Sequence, residues 1–249
     1  MSTPDGALFQ QVEREPRLSD KVAQMILDTI LSGKLMPGDK LPSERELGEQ
    51  FGVSRTVIRE AVRALAAKGL ITVRSGSGLR VAPADASSVQ ESMSLFLRAA
   101  MLDYRKLSEI RKVLEVAIAG LAAERATPED AERVTAAGRR MAETADSLQG
   151  SSPSEAVVET AAQRDLEFHG AIAEATHNEL FSLLMDPIGQ SLMTVRRANL
   201  RVNLERTVEL HDALVERIVA HDAEGARAAM ARHLDDTEET WHELHPDES

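Results

Sequence analysis

All seven histidines of the chain lie beyond residue 168, and three of them share a pattern that suits a metal ion. Asp165 and His169 are four residues apart, so a helix sets both on one face, where they can grip one ion. Leu166 and Ile172 flank His169, Leu214 and Ile218 follow His211, and Ala226 and Met230 precede His233, all at helical spacing. Each imidazole therefore sits on the apolar stripe of a separate helix, where a polar group needs a partner. Two readings are open: hydrogen-bonded core histidines, or one divalent ion gathering Asp165, His169, His211 and His233. Imidazole and carboxylate donors suit zinc, with nickel, manganese and iron(II) as alternatives, and four protein ligands leave positions for a bidentate small molecule. His177 and His221 at helix ends, and His242 and His245 near the C-terminus, are expected to be solvated. Arg111 shares a face with Leu107, Leu114 and Ile118. Its guanidinium can pair with Glu115 four residues on, or clamp the carboxylate of an effector. Arg196, Arg197, Asn199 and Asn203 could contribute polar pocket contacts from their helix, but most are expected to face solvent.

A second group of chemically pointed residues lies between Leu41 and Arg80. Ser54-Arg55-Thr56-Val57-Ile58-Arg59 opens a helix whose buried side is Val57, Ile58, Ala61, Val62 and Leu65, leaving Arg55, Arg59 and Arg63 outside. Long basic and short polar side chains near a helix start are what a major groove accepts, and arginine bonds guanine edges or phosphates in bidentate fashion. Arg45 lies in the preceding helix, which crosses the backbone in such motifs. Ser75-Gly76-Ser77-Gly78 joins two strand-like runs as the tip of a wing.

These side chains require two kinds of scaffold. Residues 1–17 read as a flexible arm, 18–83 as a winged helix-turn-helix, 84–90 as a linker and 91–245 as an all-helical domain. The fold class is mainly α, with the winged helix-turn-helix followed by an antiparallel helical bundle. Ser43 and Glu46 form a capping-box pattern, Ser54 caps the next helix, and Gly33, Gly52 and Gly69 act as stops. In the second domain the expected helices are 88–101, 104–125, 128–148, 156–176, 178–185, 187–203, 205–220 and 223–243, with Asp186-Pro187 read as a break. The net charge of −12 divides unevenly: residues 1–83 carry +2 and residues 84–249 carry −14. The basic charge thus sits on the proposed reader, and an acidic second domain is repelled from phosphate. Cysteine is absent, which removes thiolate metal sites and disulfides. A charged-then-apolar leader and a membrane-length apolar run are not seen, so a cytoplasmic location and no membrane partner are expected.

The stretch LPSERELGEQFGVSRTVIREAVRALAAKGLI resembles the winged helix-turn-helix signature of the GntR family of bacterial transcription regulators. That resemblance implies that Arg45, Arg55 and Arg59 contact operator DNA, with Ser54 and Thr56 nearby and Ser75 and Gly76 at the wing tip. The tip departs from the commoner Gly-x-Gly-Thr-Phe form. Residues 105–243 are similar to the FCD ligand-binding domain of the FadR subfamily, through Glu109-Ile110-Arg111, Glu115, Asp165 to His169, Asn178, His211 and His233. In metal-containing members the residues matching Asp165, His169, His211 and His233 bind a divalent metal, and small carboxylates or sugar acids are the usual effectors. The resemblance also favours Arg111 as the effector clamp. The expected function is a metabolite-responsive repressor, not an enzyme, acting as a homodimer on a palindromic operator in double-stranded DNA. The alternative is a metal-dependent enzyme acting on a small carboxylate, fused to a DNA-binding module. Glu167 is the nearest candidate for its general base, but its position on the helix turns it off the face of Asp165 and His169.

Overall fold

The computed structural model describes residues 17–74, 78–83, 86–100, 103–148 and 152–246. The chain divides into two compact units, with the boundary between Asp85 and Ala86.

The first unit contains α1 (Leu18–Leu31), α2 (Glu44–Phe51), α3 (Arg55–Ala67), β1 (Ile71–Arg74) and β2 (Gly78–Val81). Its helix starts follow from local chemistry. The Ser43 side chain accepts from the Glu46 backbone N–H while the Glu46 carboxylate accepts from that of Ser43, so two otherwise orphaned donors are satisfied at the start of α2. Ser54 caps α3 in the same way, accepting from Val57 N–H. Between the two helices Gly52 adopts φ 65°, the left-handed region where a side chain would be strained. β1 and β2 pair antiparallel, with Ile71 opposite Val81 and Arg74 opposite Gly78. Val22, Ile26, Leu47, Ile58, Val62 and Leu65 meet Ile71, Leu79 and Val81 in one core. Each of the larger of these contributes about 1.5–3 kcal/mol by leaving water. That core fixes the angle between α2 and α3 and the base of the hairpin.

The second unit is all helix among the described residues: α4 (Ala86–Ala99), α5 (Tyr104–Arg125), α6 (Pro128–Asp146), α7 (Glu155–Glu174), α8 (Glu179–Ser191), α9 (Met193–Val219) and α10 (Ala223–Leu244). α9 and α10 pack along each other across a three-residue connection, so they run antiparallel. α10 also packs on α5, α6 on α7 and α9, and α7 on α9. Phe168, Ile118, Ile172, Leu214, Ile218 and Met230 form the centre of the larger core. No described helix is long and apolar enough to cross a membrane.

Three expectations change. The segment 84–90, read as a linker, is helical from Ala86, because α4 packs on α8 and Gln90 Nε2 donates to Asp186 Oδ2 at 2.7 Å, a partner 96 residues away. Pro187 does not break the chain but lies inside α8, buried with Met185 and Ile188, and the break falls at Leu192. One backbone hydrogen bond is lost there, and apolar packing outweighs it. Finally, the helices read as 187–203 and 205–220 are one helix, α9, kinked at Asn203 (φ −127°, ψ 29°). The kink is held from outside: Asn203 Nδ2 donates to Thr240 Oγ1 of α10 at 2.7 Å.

Candidate metal centre and nucleic-acid interface

In the first unit, Arg55, Thr56 and Arg59 are exposed on the outer face of α3, and Arg45 is exposed on α2. Arg45 pairs with Glu49 at 2.6 Å and Arg59 approaches Glu44 at 3.6 Å. Exposed pairs of this kind contribute roughly 0–1 kcal/mol, so neither one commits its arginine to the carboxylate. Arg55 makes no ion pair among the described residues. Ser54 is exposed at the N-terminus of the same helix, where free backbone N–H groups favour phosphate. Ser75 and Gly76, read as the wing tip, lie outside the described residues.

In the second unit, three helices converge on one buried polar cluster. α7 contributes Asp165 and His169, the distal segment of α9 His211, and α10 His233; one ligand atom from each lies within 4.8 Å of the other three. All four residues are buried, His211 completely. His169 Nε2 is 3.2 Å from His233 Nε2, His211 Nε2 is 3.3 Å from Asp165 Oδ1, and His169 Nε2 is 3.8 Å from that same oxygen. Donors held about 2.0–2.2 Å from one ion stand about 3–3.6 Å apart, so these separations are close to the edges of a coordination shell. Hydrogen bonding gives a second test. Neither ring nitrogen of His211 has a hydrogen-bond partner, nor has His233 Nδ1. Buried polar atoms of this kind cost about 1–3 kcal/mol each unless something binds them. Burial first, then neighbouring positive charge, lowers His211 and His233 well below 6.5, so both are neutral at pH 7 with a lone pair to give. The residues fit a divalent cation. Phe168 stacks on His211 with ring centroids 4.0 Å apart and holds the imidazole plane.

α5 supplies the next layer. Arg111 Nε donates to Glu115 Oε1 at 2.5 Å, and Arg111 Nη2 lies 3.2 Å from His169 Nε2. The other Glu115 oxygen pairs with His169 Nδ1. A carboxylate at Nδ1 keeps the proton there and leaves Nε2 as the donor to an ion, the usual way a carboxylate orients a metal-binding imidazole. Burial alone would raise the Glu115 carboxyl. Arg111, His169 and Arg196 together outweigh it and hold the group well below the usual carboxylate range. Both readings of Arg111 thus have a basis: it is paired with Glu115 and it also reaches the cluster.

Sequence reasoning offered Arg196 only as one of four candidate pocket contacts, most of them expected in solvent. It is 4% exposed and pairs with Asp165 Oδ2. Burial, then Arg111, lowers its guanidinium to about 9, which leaves it charged at neutral pH. Asn199, one turn further along, is buried with its Oδ1 unpartnered. The signal was present in Leu192, Arg196, Asn199 and Leu200, which share one helical face with apolar residues at its ends. Arg197, by contrast, pairs with Glu159 at the surface, and Asn203 serves the kink. Of the end histidines, His177 and His221 are exposed as expected, His242 and His245 are half-buried, and three of the four still make ring contacts. His177 Nε2 lies 2.8 Å from buried Asp130, His221 Nδ1 lies 2.8 Å from Ala123 O, and His245 stacks on Trp241 at 3.7 Å. Both His177 and His221 adopt positive φ, and the bonds that their rings make tie adjacent helix ends together.

Comparison with known proteins agrees with this division. Residues 18–81 match the bacterial regulatory proteins of the gntR family, and residues 106–236 match the FCD domain. The chain belongs to the GntR family of bacterial regulators. Within that family it is 33% identical to the HTH-type transcriptional regulator LutR of Bacillus subtilis, over 84% of this chain and 94% of that protein. It is 34% identical to the Uxu operon transcriptional regulator of Escherichia coli, over 88% and 84% respectively. The solved structure of Streptococcus agalactiae GntR superposes with a TM-score of 0.57 at 25% identity, covering 88% of this chain and 97% of the other. The GntR-family chain is therefore a DNA-binding transcription regulator with an FCD ligand-binding domain, and its buried histidine–aspartate cluster lies inside that domain.

Proposed function

We propose that this regulator senses a small organic acid through a divalent metal, zinc in the first instance, held by Asp165, His169, His211 and His233. One observation carries the reading: His211 is fully buried inside a ring of three further ligand atoms, and neither ring nitrogen makes a hydrogen bond, although Asp165 Oδ1 stands 3.3 Å from its Nε2. Charge then selects the ligand. Arg111 and Arg196 balance Glu115 and Asp165, while His211 and His233 are neutral at pH 7. A dication leaves the pocket with about two uncompensated positive charges, which an anion relieves. Arg196, whose Nη1 pairs with Asp165 while its Nε lacks a hydrogen-bond partner, is one clamp for a carboxylate, and Arg111 is the second arm.

On the DNA side, Arg45, Arg55, Arg59, Ser54 and Thr56 read or grip the operator, with the Ser75-Gly76 tip as a further contact. A homodimer sets two such heads on a palindromic site. Effector and operator then change each other's affinity by one common factor, typically 5–150-fold. An enzymatic role gains no support from Glu167, which is half exposed and faces Arg140 at 3.6 Å on the outer side of α7.

The test combines elemental analysis of the purified protein with thermal shift and gel-mobility assays in organic acids. One equivalent of metal per chain, an acid-dependent rise in melting temperature and an altered operator affinity are expected. Protein free of metal, with melting indifferent to zinc after chelation, would remove the sensing half of this reading.

A further inference from the structure

His169 lies in the middle of the cluster, and both of its ring nitrogens have close neighbours. Glu115 pairs with Nδ1, which places the ring proton there. Nε2 then carries no proton and offers one in-plane lone pair. Arg111 Nη2 and His233 Nε2 each stand 3.2 Å from that nitrogen, and Asp165 Oδ1 stands 3.8 Å away. Only the first two can donate to it, and they differ in how they yield. A neutral imidazole carries its proton on either nitrogen, so His233 gives way by moving the proton to its unpartnered Nδ1, with the ring in place. A guanidinium has N–H groups on every nitrogen and no acceptor form. Arg111 can give up the lone pair only by moving.

A divalent ion on His169 needs that same lone pair, and it would set a dication beside a cation in a buried site where charges are poorly screened. We infer that Arg111 and the metal hold His169 Nε2 by turns, which makes Arg111 a gate on the metal centre. This gate presupposes the metal site described above. Its pivot is Arg111 Nε, which donates to Glu115 Oε1 at 2.5 Å, so the Nη2 end turns while the buried charge pair survives. Arg111 is 4% exposed and has almost no contact with solvent. Once displaced, its N–H groups need an acceptor inside the pocket, and the carboxylate of an incoming acid is one. Metal binding thereby readies the pocket for the acid.

Arg196 stands elsewhere. It pairs with Asp165 Oδ2, whereas Oδ1 is the oxygen that faces His211 and His169. An ion on Oδ1 leaves that pair intact, so of the two arginines only Arg111 is in the way. Glu115 is essential to the gate. Without it the ring proton is free to sit on Nε2, and removing the arginine no longer delivers a lone pair to the metal.

The test is zinc binding by the full-length protein, in competition with a chelating dye, for the parent, Arg111→Lys and Arg111→Gln. Lysine keeps the charge beside Glu115, but its chain ends one bond short of the arginine Nη atoms and leaves His169 Nε2 free. Glutamine removes the charge and keeps an N–H for Glu115. Zinc should bind about threefold to tenfold more tightly to Arg111→Lys, and tighter still to Arg111→Gln, the range of one hydrogen bond. A side chain that merely supported His169 would give the opposite sign. Arg111→Lys affinity within threefold of the parent, or weaker, overturns the gate, and tightening confined to Arg111→Gln marks plain charge repulsion instead. Crystals of the unmodified protein grown with zinc and with chelator give a second reading free of any folding defect. Arg111 Nη2 should touch His169 Nε2 only in the chelated form, and contact kept beside bound zinc overturns the gate. Absence of zinc binding in the parent and both variants overturns the metal reading itself.

Discussion

Replacing Glu115 by Gln tests the centre of the molecule with two separate magnitudes. The carboxylate is 3% exposed, accepts from Arg111 Nε at 2.5 Å and pairs with His169 Nδ1. The amide keeps the shape and removes the charge, so Arg111 stays buried with no anion beside it. Breaking a buried pair by removing one partner costs about 3–5 kcal/mol. For a domain of this size each kcal/mol lowers the melting temperature by about 2–4 °C, so the metal-free variant should melt about 6–20 °C lower. The second magnitude concerns the metal. Without a carboxylate at Nδ1, His169 loses the partner that fixes its tautomer and raises its basicity, and zinc affinity should fall about 10–100-fold. Urea or thermal denaturation of chelator-treated protein reads the first, and competition with a chelating dye reads the second. The double variant Arg111→Met with Glu115→Gln should recover part of the stability, because it no longer strands a charge, but not the zinc affinity. A single variant as stable as the parent, with zinc binding within threefold of it, would refute both the buried pair and the orienting role of Glu115.

The remaining predictions concern metal, pH and DNA. Chelation should lower the melting temperature and zinc should restore it, with a stabilisation of about 2.7 kcal/mol at free zinc one hundred times the dissociation constant; a calorimetric melt insensitive to zinc counts against the site. His211 and His233 are depressed below 6.5 by burial, so between their folded values and 6.5 the unfolded chain binds more protons than the folded one. Their contribution is complete above about pH 6.5 and is lost as pH falls, with a slope of up to about 2.7 kcal/mol per pH unit for the pair in metal-free protein, measurable by urea titration from pH 5 to 8. Arg55→Ala and Arg59→Ala should each weaken operator binding by about 1–3 kcal/mol in gel shifts without moving the melting temperature, since both side chains lie in solvent. Each variant should also flatten the salt dependence by about one logarithmic unit if its arginine contacts phosphate rather than a base.

Much of this was legible along the chain. The reading head is built from local signals: Ser43 and Glu46 cap one helix, Ser54 caps the next, and Gly52 turns between them, all within a dozen residues. Such signals act over one turn of backbone and survive without tertiary context. The three inward histidines and Asp165 were equally visible, because a polar residue on an apolar stripe shows by period alone. What the chain did not display is everything set by a distant partner. Gln90 bonds Asp186 and makes a helix of the expected linker; Met185 and Ile188 bury Pro187 within α8; Thr240 holds the kink at Asn203.

Those distant partners also decided the chemistry of the pocket. Local pattern along the chain was enough to give two units, a helix faced with arginines, and four side chains able to share an ion. Only the tertiary structure brought α5, α7, α9 and α10 together, turned Arg196 inward onto Asp165 and set Glu115 behind His169. The physical reason is range. Capping and periodicity are properties of neighbours three or four residues apart, whereas the solvation of a charge depends on which helices enclose it, and those lie tens of residues away.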